Sequence, residues 1–208
     1  MVQALQPAAG NGFLRDAVVI ERRVREHFYS PMRPPSSLYV LIEGRASIAR
    51  LTRDGRRLVT EVLEAGDVFG DLSLRGSHSD GEFVEALTDC RALAVDSGRA
   101  RALIASHPEL AVPLLSAVAN RLNAACDRLE ELAYSPVETR VAAAVLRIAG
   151  STGRMAPVSH QFVAEMAGTY RETATRALEG LQVREMLGLG RCAIEIRDPA
   201  ALTAMAAA

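Results

Sequence analysis

The feature that most constrains this chain is a change of hydrophobic period at Asp96. From Ala17 to Val95, short apolar or alternating runs are broken repeatedly by glycine, whereas beyond Asp96 apolar residues recur at offsets of three and four. "LYVLIEG" ends in a Glu43-Gly44 turn, and "ASIARL" and "RLVTEVL" alternate apolar with polar or small residues. Between them, Asp54-Gly55 is a two-residue hairpin signal, because both central positions of a type I′ turn need positive φ. "EAGDVFGDLSL" adds turns at Gly66 and Gly70. Short strands at this spacing predict a β-sandwich or barrel, so the fold class is α+β with the strands first.

After Asp96, "DSGRARALIASH" predicts a short helix and "HPELAVPLLSAVANRLNAACDRLEELA" a long one. Pro108 is acceptable in the first turn of the long helix, and Pro113 should fray or kink that end. Ala111, Val118, Ala125 and Leu132 repeat at seven, with Leu115, Leu122 and Leu129 interleaved, which is an a/d seam. Such a seam suits either packing on the strand domain or self-association. Three heptads beside a domain boundary favour self-association, so a homodimer is expected. "YSPVETR" marks the boundary: Ser135 and Glu138 have capping-box spacing, and Pro136 suits a first helical position. A small-residue helix then runs from Val137 to about Ala149. The expected domains are therefore 1–106, 107–134 and 135–208.

Two short helices follow, Ser159 to Ala167 and Tyr170 to about Gln182, separated only by Gly168 and Thr169. Apolar segments flanking Gly190-Arg191 then predict a hairpin wing. This is the layout of a winged helix-turn-helix. Projected at 100° per residue from Arg171, Thr175, Glu172 and Arg176 fall at about 40°, 100° and 140°; Ala177, Leu181, Ala174 and Leu178 fall between about 240° and 340°. One face is thus left for a polar partner. Arginine can donate twice to guanine O6 and N7, and glutamate can accept from cytosine N4. Thr169, Tyr170, Thr173 and Thr175 can bond phosphate oxygens, with Ser159 and Gln161 as further positioning candidates. Two other assignments of these residues remain open: Thr169 and Glu172 have capping-box spacing, and Arg176 can pair with Glu172 or Glu179 on the surface. Net charge does not decide, since the whole chain carries −1 and the part from Tyr134 onward has eight arginines against seven carboxylates.

These segments resemble the Crp-Fnr transcription regulators: "YVLIEGRASIARLTRDGR", "AGDVFGDLSL" and "ALTDCRALAV" look like β-roll segments, "HPELAVPLL" like the start of the dimer helix, and "VAEMAGTYRETATRALEGL" like the helix-turn-helix. The resemblance implies an N-terminal double-stranded, jelly-roll-like β-roll, a long dimerisation helix and a C-terminal winged helix-turn-helix. It implies Arg171, Glu172 and Arg176 as base readers, an inverted-repeat DNA site as partner, and contact with RNA polymerase. The nucleotide cassette of the family is degraded. Asp71 follows Phe69-Gly70 where a glutamate is expected, and Asp80-Gly81 stands where an arginine and a hydroxyl residue would meet the phosphate. A carboxylate there repels a cyclic phosphate, so no cofactor is expected. The alternative is gating by an unidentified small ligand or by thiol redox state.

Cys90, Cys126 and Cys192 are too few and too scattered for an iron–sulfur cluster and have no metal-ligand spacing. Neither His78 nor the internal Pro7 is placed to ligate haem. A metal cupin would need a His-x-His pair, yet the strand region has only His27 and His78, and no nucleophile elbow, P-loop or GxGxxG appears. An enzyme is therefore not expected. No run approaches the roughly 18 apolar residues of a membrane span, and the N-terminus lacks the basic start and apolar core of a signal peptide. The expected location is the cytoplasm, with no membrane partner.

Overall fold

The computed structural model describes residues 17–74, 81–150, 158–191 and 193–207. Pro7, His78, Asp80, Cys192 and residues 151–157 lie outside the described residues. Contacts gather the chain into two compact units. One comprises residues up to Ala124 except Arg56–Thr60, and the other comprises Arg56–Thr60 together with Ala125 onward.

The first unit is built from β1 (Val18–Arg22), β2 (His27–Tyr29), β3 (Ser37–Glu43), β4 (Ala46–Leu51), β5 (Arg57–Leu63), β6 (Val68–Gly70), β7 (Glu82–Ala86) and β8 (Cys90–Asp96). Two four-stranded sheets form, ordered β1-β8-β3-β6 and β2-β7-β4-β5. That interleaving is the double Greek key of a jelly roll. Alternation along β3 explains how one strand serves two cores. Leu41 and Tyr39 join Phe28, Tyr29, Ile48, Leu63, Phe69 and Val84 inside the roll. Leu38 and Val40 instead pack with Val68, Val95, Ala100 and Leu103. The last two belong to α1 (Ser97–Ser106), whose N-terminus is capped by Asp96 accepting from the amides of Gly98 and Arg99.

The turn between β4 and β5 differs from the type I′ expectation. Gly55 has φ +78°, but Asp54 is not in the positive-φ region, and the Gly55 amide closes on the Thr52 carbonyl at 3.0 Å. The reason is length: β4 stops at Leu51 and β5 starts at Arg57, leaving five residues to turn in rather than two.

The long helix also begins differently. A 3₁₀ turn, Pro108–Leu110, precedes α2 (Ala111–Tyr134). Pro113 therefore sits in the first α-helical turn, where its missing N–H has no intrahelical partner to lose. None of the 24 residues of α2 is buried.

In the second unit, α3 (Val137–Ala149) buries Val141, Ala142, Ala144, Val145 and Ile148. The expected Ser135–Glu138 capping box does not form. Pro136 occupies the N-cap without a side-chain cap, and Glu138 accepts from Arg184 at 2.9 Å instead. Next come α4 (His160–Ala167) and α5 (Arg171–Val183), then the antiparallel wing β9 (Leu187–Gly190) and β10 (Ala193–Ile196). A further helix, α6 (Pro199–Ala206), was not expected from the pattern. Asp198 caps it, Pro199 opens it, and Leu202 is fully buried.

Candidate nucleic-acid interface

The turn between α4 and α5 positions everything that follows. Ser159 caps α4 by accepting from the Phe162 amide at 3.2 Å. At the other end Gly168 adopts φ +62°, and the Thr169 amide returns to the Ala164 carbonyl at 3.0 Å, a Schellman closure. Glycine suits this position because its φ is left-handed and a Cβ there would lie 2.6 Å from Leu132 Cδ2, so that side chain would have to move. The chain then enters α5 with Tyr170 at the N-cap, extended and without a side-chain cap bond. Thr169 is therefore one residue too early to form the capping box with Glu172. Glu172 sits in the first turn, where its charge complements the helix dipole.

The two faces of α5 separate as its projection predicts. Ala174, Ala177, Leu178 and Leu181 are buried, while Arg171, Glu172 and Arg176 are exposed. Among the described residues neither guanidinium makes an ion pair or hydrogen bond, so the surface pairing of Arg176 with Glu172 or Glu179 does not occur. Two forked cations and one carboxylate thus project from the N-terminal half of a helix held by its opposite face. That set can donate to guanine and accept from cytosine.

The positioning candidates divide. Tyr170 is 58% exposed, while Thr169 and Thr173 are half-buried. Gln161 is exposed and donates to Glu165 at 2.9 Å, and Ser159 serves as the cap already described. Thr175 shares a 3.0 Å hydrogen bond with His160 Nδ1, which ties the start of α4 to the exposed side of α5. His160 was missed from sequence because its contact spans fifteen residues, and only a three-dimensional helix pairing reveals it.

Of the residues expected to form a degraded nucleotide cassette, Gly70, Asp71 and Gly81 are described. Gly70 has φ +90°, and a Cβ would lie 2.5 Å from the Ser37 carbonyl and 2.6 Å from the Tyr39 ring. Asp71 is buried and accepts from Ser73 at 2.6 Å. Gly81 has φ +76°, whereas Asp80 is outside the described residues. A cleft of about 620 Å³ is lined by Val68, Ala117, Asn120 and Arg121, with Glu61 and Asp67 as its carboxylates. Its one arginine is already engaged: Arg121 Nε meets Glu61 at 2.6 Å, and Nη2 donates to the Val68 carbonyl at 3.0 Å. Nearby, Tyr29 donates to Glu82 at 2.8 Å. Burial, reinforced by the Glu82 charge, pushes the Tyr29 phenol well above its ordinary range.

A jelly roll followed by a long helix and a winged helix-turn-helix with an exposed polar recognition face defines a DNA-binding regulator. Comparison with known proteins makes the class specific. Residues 25–107 match the cyclic nucleotide-binding domain, and residues 139–205 match the Crp-like helix-turn-helix domain. The chain is 30% identical over 171 residues to the cyclic AMP receptor protein of Thermus thermophilus, covering 82% of this chain and 79% of that protein. It is 26% identical over 204 residues to a CRP-like cAMP-activated global transcriptional regulator of Mycobacterium tuberculosis, covering 94% and 91%. The solved structure of FixK2 from Bradyrhizobium japonicum aligns with a TM-score of 0.78 at 27% identity, covering 92% of this chain and 98% of that one. The chain belongs to the Crp-Fnr family, and it is a DNA-binding transcription regulator rather than an enzyme. Among the described residues no single helix is long and apolar enough to cross a membrane.

Proposed function

We propose that the protein is a cytoplasmic homodimer that reads an inverted-repeat promoter site with α5, without cyclic nucleotide, and activates by contacting RNA polymerase. The observation that carries the reading is the exposed and internally unpartnered set Arg171, Glu172 and Arg176 on a helix whose other face is core. Pairing rests on α2: Leu115, Leu122 and Leu129 are 69%, 64% and 67% exposed, and with Val118 they repeat as a heptad seam. A second copy of the same helix, in a twofold arrangement, covers such a stripe and sets two recognition helices about one DNA turn apart. At its end Leu132 is half-buried near the helix-turn-helix turn.

Nucleotide independence is supported by the cleft. Its arginine is neutralised by Glu61, and Asp67 adds a second carboxylate to the lining, so the cleft offers no free cation to a cyclic phosphate. The cleft itself favours a second reading, in which a small ligand that is not a cyclic nucleotide gates the dimer.

Duplexes selected from a random pool by the purified protein, with no nucleotide added, test this reading. On the selected site Arg171→Ala or Arg176→Ala should cost about 1–3 kcal/mol and relax base preference at one position. Tyr170→Phe should weaken all sequences alike. Equal losses for the arginine variants on matched and mismatched half-sites would refute base reading.

A further inference from the structure

Where α2 meets the winged domain, one carboxylate holds two arginines. Glu131 on α2 accepts a fork from Arg147 on α3, Nη1 to Oε2 at 2.9 Å and Nη2 to Oε1 at 3.0 Å. Arg128, one turn earlier on α2, donates Nη1 to both oxygens of the same carboxylate at 3.1 Å. Its Nη2 donates to the main-chain carbonyl of Met166, one of the last carbonyls of α4 that has no helical partner. The side chains of Arg128 and Glu131 are each only 13% exposed, so solvent does little to screen the contact. Burial raises the Glu131 carboxyl, but Arg147 and Arg128 together outweigh it and hold the group below its usual range. Arg128 is lowered by burial first and by the Arg147 charge second.

Each bond in the set leads toward α5. The Met166 carbonyl lies two residues before Gly168, whose turn launches α5. The fork to Arg147 fixes α3, the helix against which both α4 and α5 pack. Two helices, α3 and α4, are thus pinned at one point on the helix that carries the seam, and α5 packs on both. We infer that the Arg128–Glu131–Arg147 cluster sets the separation and rotation of the two recognition helices, and so selects the spacing between half-sites. Glu131 and Arg147 are positioning residues; they lie on helices other than the one that reads bases. The inference rests on the paired reading proposed above.

The test uses the full-length protein and three kinds of duplex: the selected inverted repeat, the same repeat with one base pair added or removed at its centre, and a duplex with a single half-site. One base pair shifts the half-sites by about 3.4 Å and turns them by about 35°. Wild type should therefore discriminate against altered spacing by about tenfold or more, comparable to losing one base contact. In Glu131→Gln, which keeps the shape but removes the charge, and in Arg147→Met, that discrimination should shrink to about threefold or less, while single half-site binding stays within about twofold of wild type. Arg147 is the more exposed partner at 37%, so its variant decides the matter if Glu131→Gln does not fold. Unchanged spacing discrimination in Arg147→Met overturns the proposal. So does an equal loss on all three duplexes, which would assign the cluster to stability alone. A wild-type protein indifferent to spacing would instead refute the paired reading, and the wild-type arm reports that by itself.

Discussion

Gly168→Ala should destabilise the winged domain, and Gly55→Ala provides the comparison that separates the two causes. Both glycines occupy the left-handed region, at φ +62° and +78°. An alanine in that region costs about 1–2 kcal/mol through its Cβ. At Gly55 nothing lies within 4 Å of the added carbon, so that cost stands alone. At Gly168 the Cβ would lie 2.6 Å from Leu132 Cδ2, a contact relieved only by moving a side chain of the α2 seam. The structure therefore orders the two substitutions, with Gly168→Ala at about 2–3 kcal/mol and Gly55→Ala at about 1 kcal/mol, each reduced slightly by the stiffer unfolded chain. Urea unfolding followed separately in the two units measures this, since a loss of 2 kcal/mol lowers the midpoint by about 1 M for a slope near 2 kcal/mol/M. Equal midpoint shifts for the two variants would refute the steric part of the argument. A Gly168→Ala variant as stable as wild type would refute the whole of it.

On the proposed pairing, Leu122→Glu should convert dimers to monomers, because it would place like charges across a seam in which each copy presents the same 64%-exposed leucine. Sedimentation velocity at micromolar concentration would show this, and an unchanged sedimentation coefficient would count against the seam. The raised Tyr29 phenol makes stability pH-dependent in a definite direction. Because the fold disfavours the phenolate, the protonated ring contributes stability below the ordinary tyrosine value of about 10, and that contribution is lost as pH rises beyond it. Burial also raises the Tyr39 phenol, so alkaline unfolding should coincide with the late appearance of two phenolates, Tyr29 and Tyr39, among the four tyrosines. Four phenolates titrating together in the folded protein would contradict the buried Tyr29–Glu82 bond.

What the sequence made legible is local or periodic. The runs "ASIARL" and "RLVTEVL" are β4 and β5 residue for residue, because alternation and flanking glycines act over a few positions. The face of α5 followed from angular spacing alone, and Ala174, Ala177, Leu178 and Leu181 are buried as that spacing requires. The cap expected at Ser135 and the one left open at Thr169 both fail to form, for one physical reason. Ser135 and Thr169 both offered hydroxyls at capping-box spacing, but the chain enters α3 and α5 one residue later, at Pro136 and Tyr170. Tertiary partners decided that register, as Glu138 shows by bonding Arg184, forty-six residues away. The short helix α6 carries alanine in four of its eight positions, so it had little periodic contrast to reveal it.

The near-zero net charge of the winged part is a sum over unlike environments. Arg184 is engaged by Glu138, and Arg147 shares the Glu131 carboxylate with Arg128, so much of the field of these arginines is spent within the fold. Arg171 and Arg176 have no such partner among the described residues, and both project from the N-terminal half of α5, where the helix dipole adds positive potential. Glu179 lies at the far end of the same polar side. On the proposed reading, a phosphate backbone should be attracted to the first two turns of α5 and repelled beyond them, which would set the polarity with which the helix enters a groove. The distribution of arginine between carboxylate partners and open surface, rather than its excess over acid, makes a chain of charge −1 competent to bind DNA.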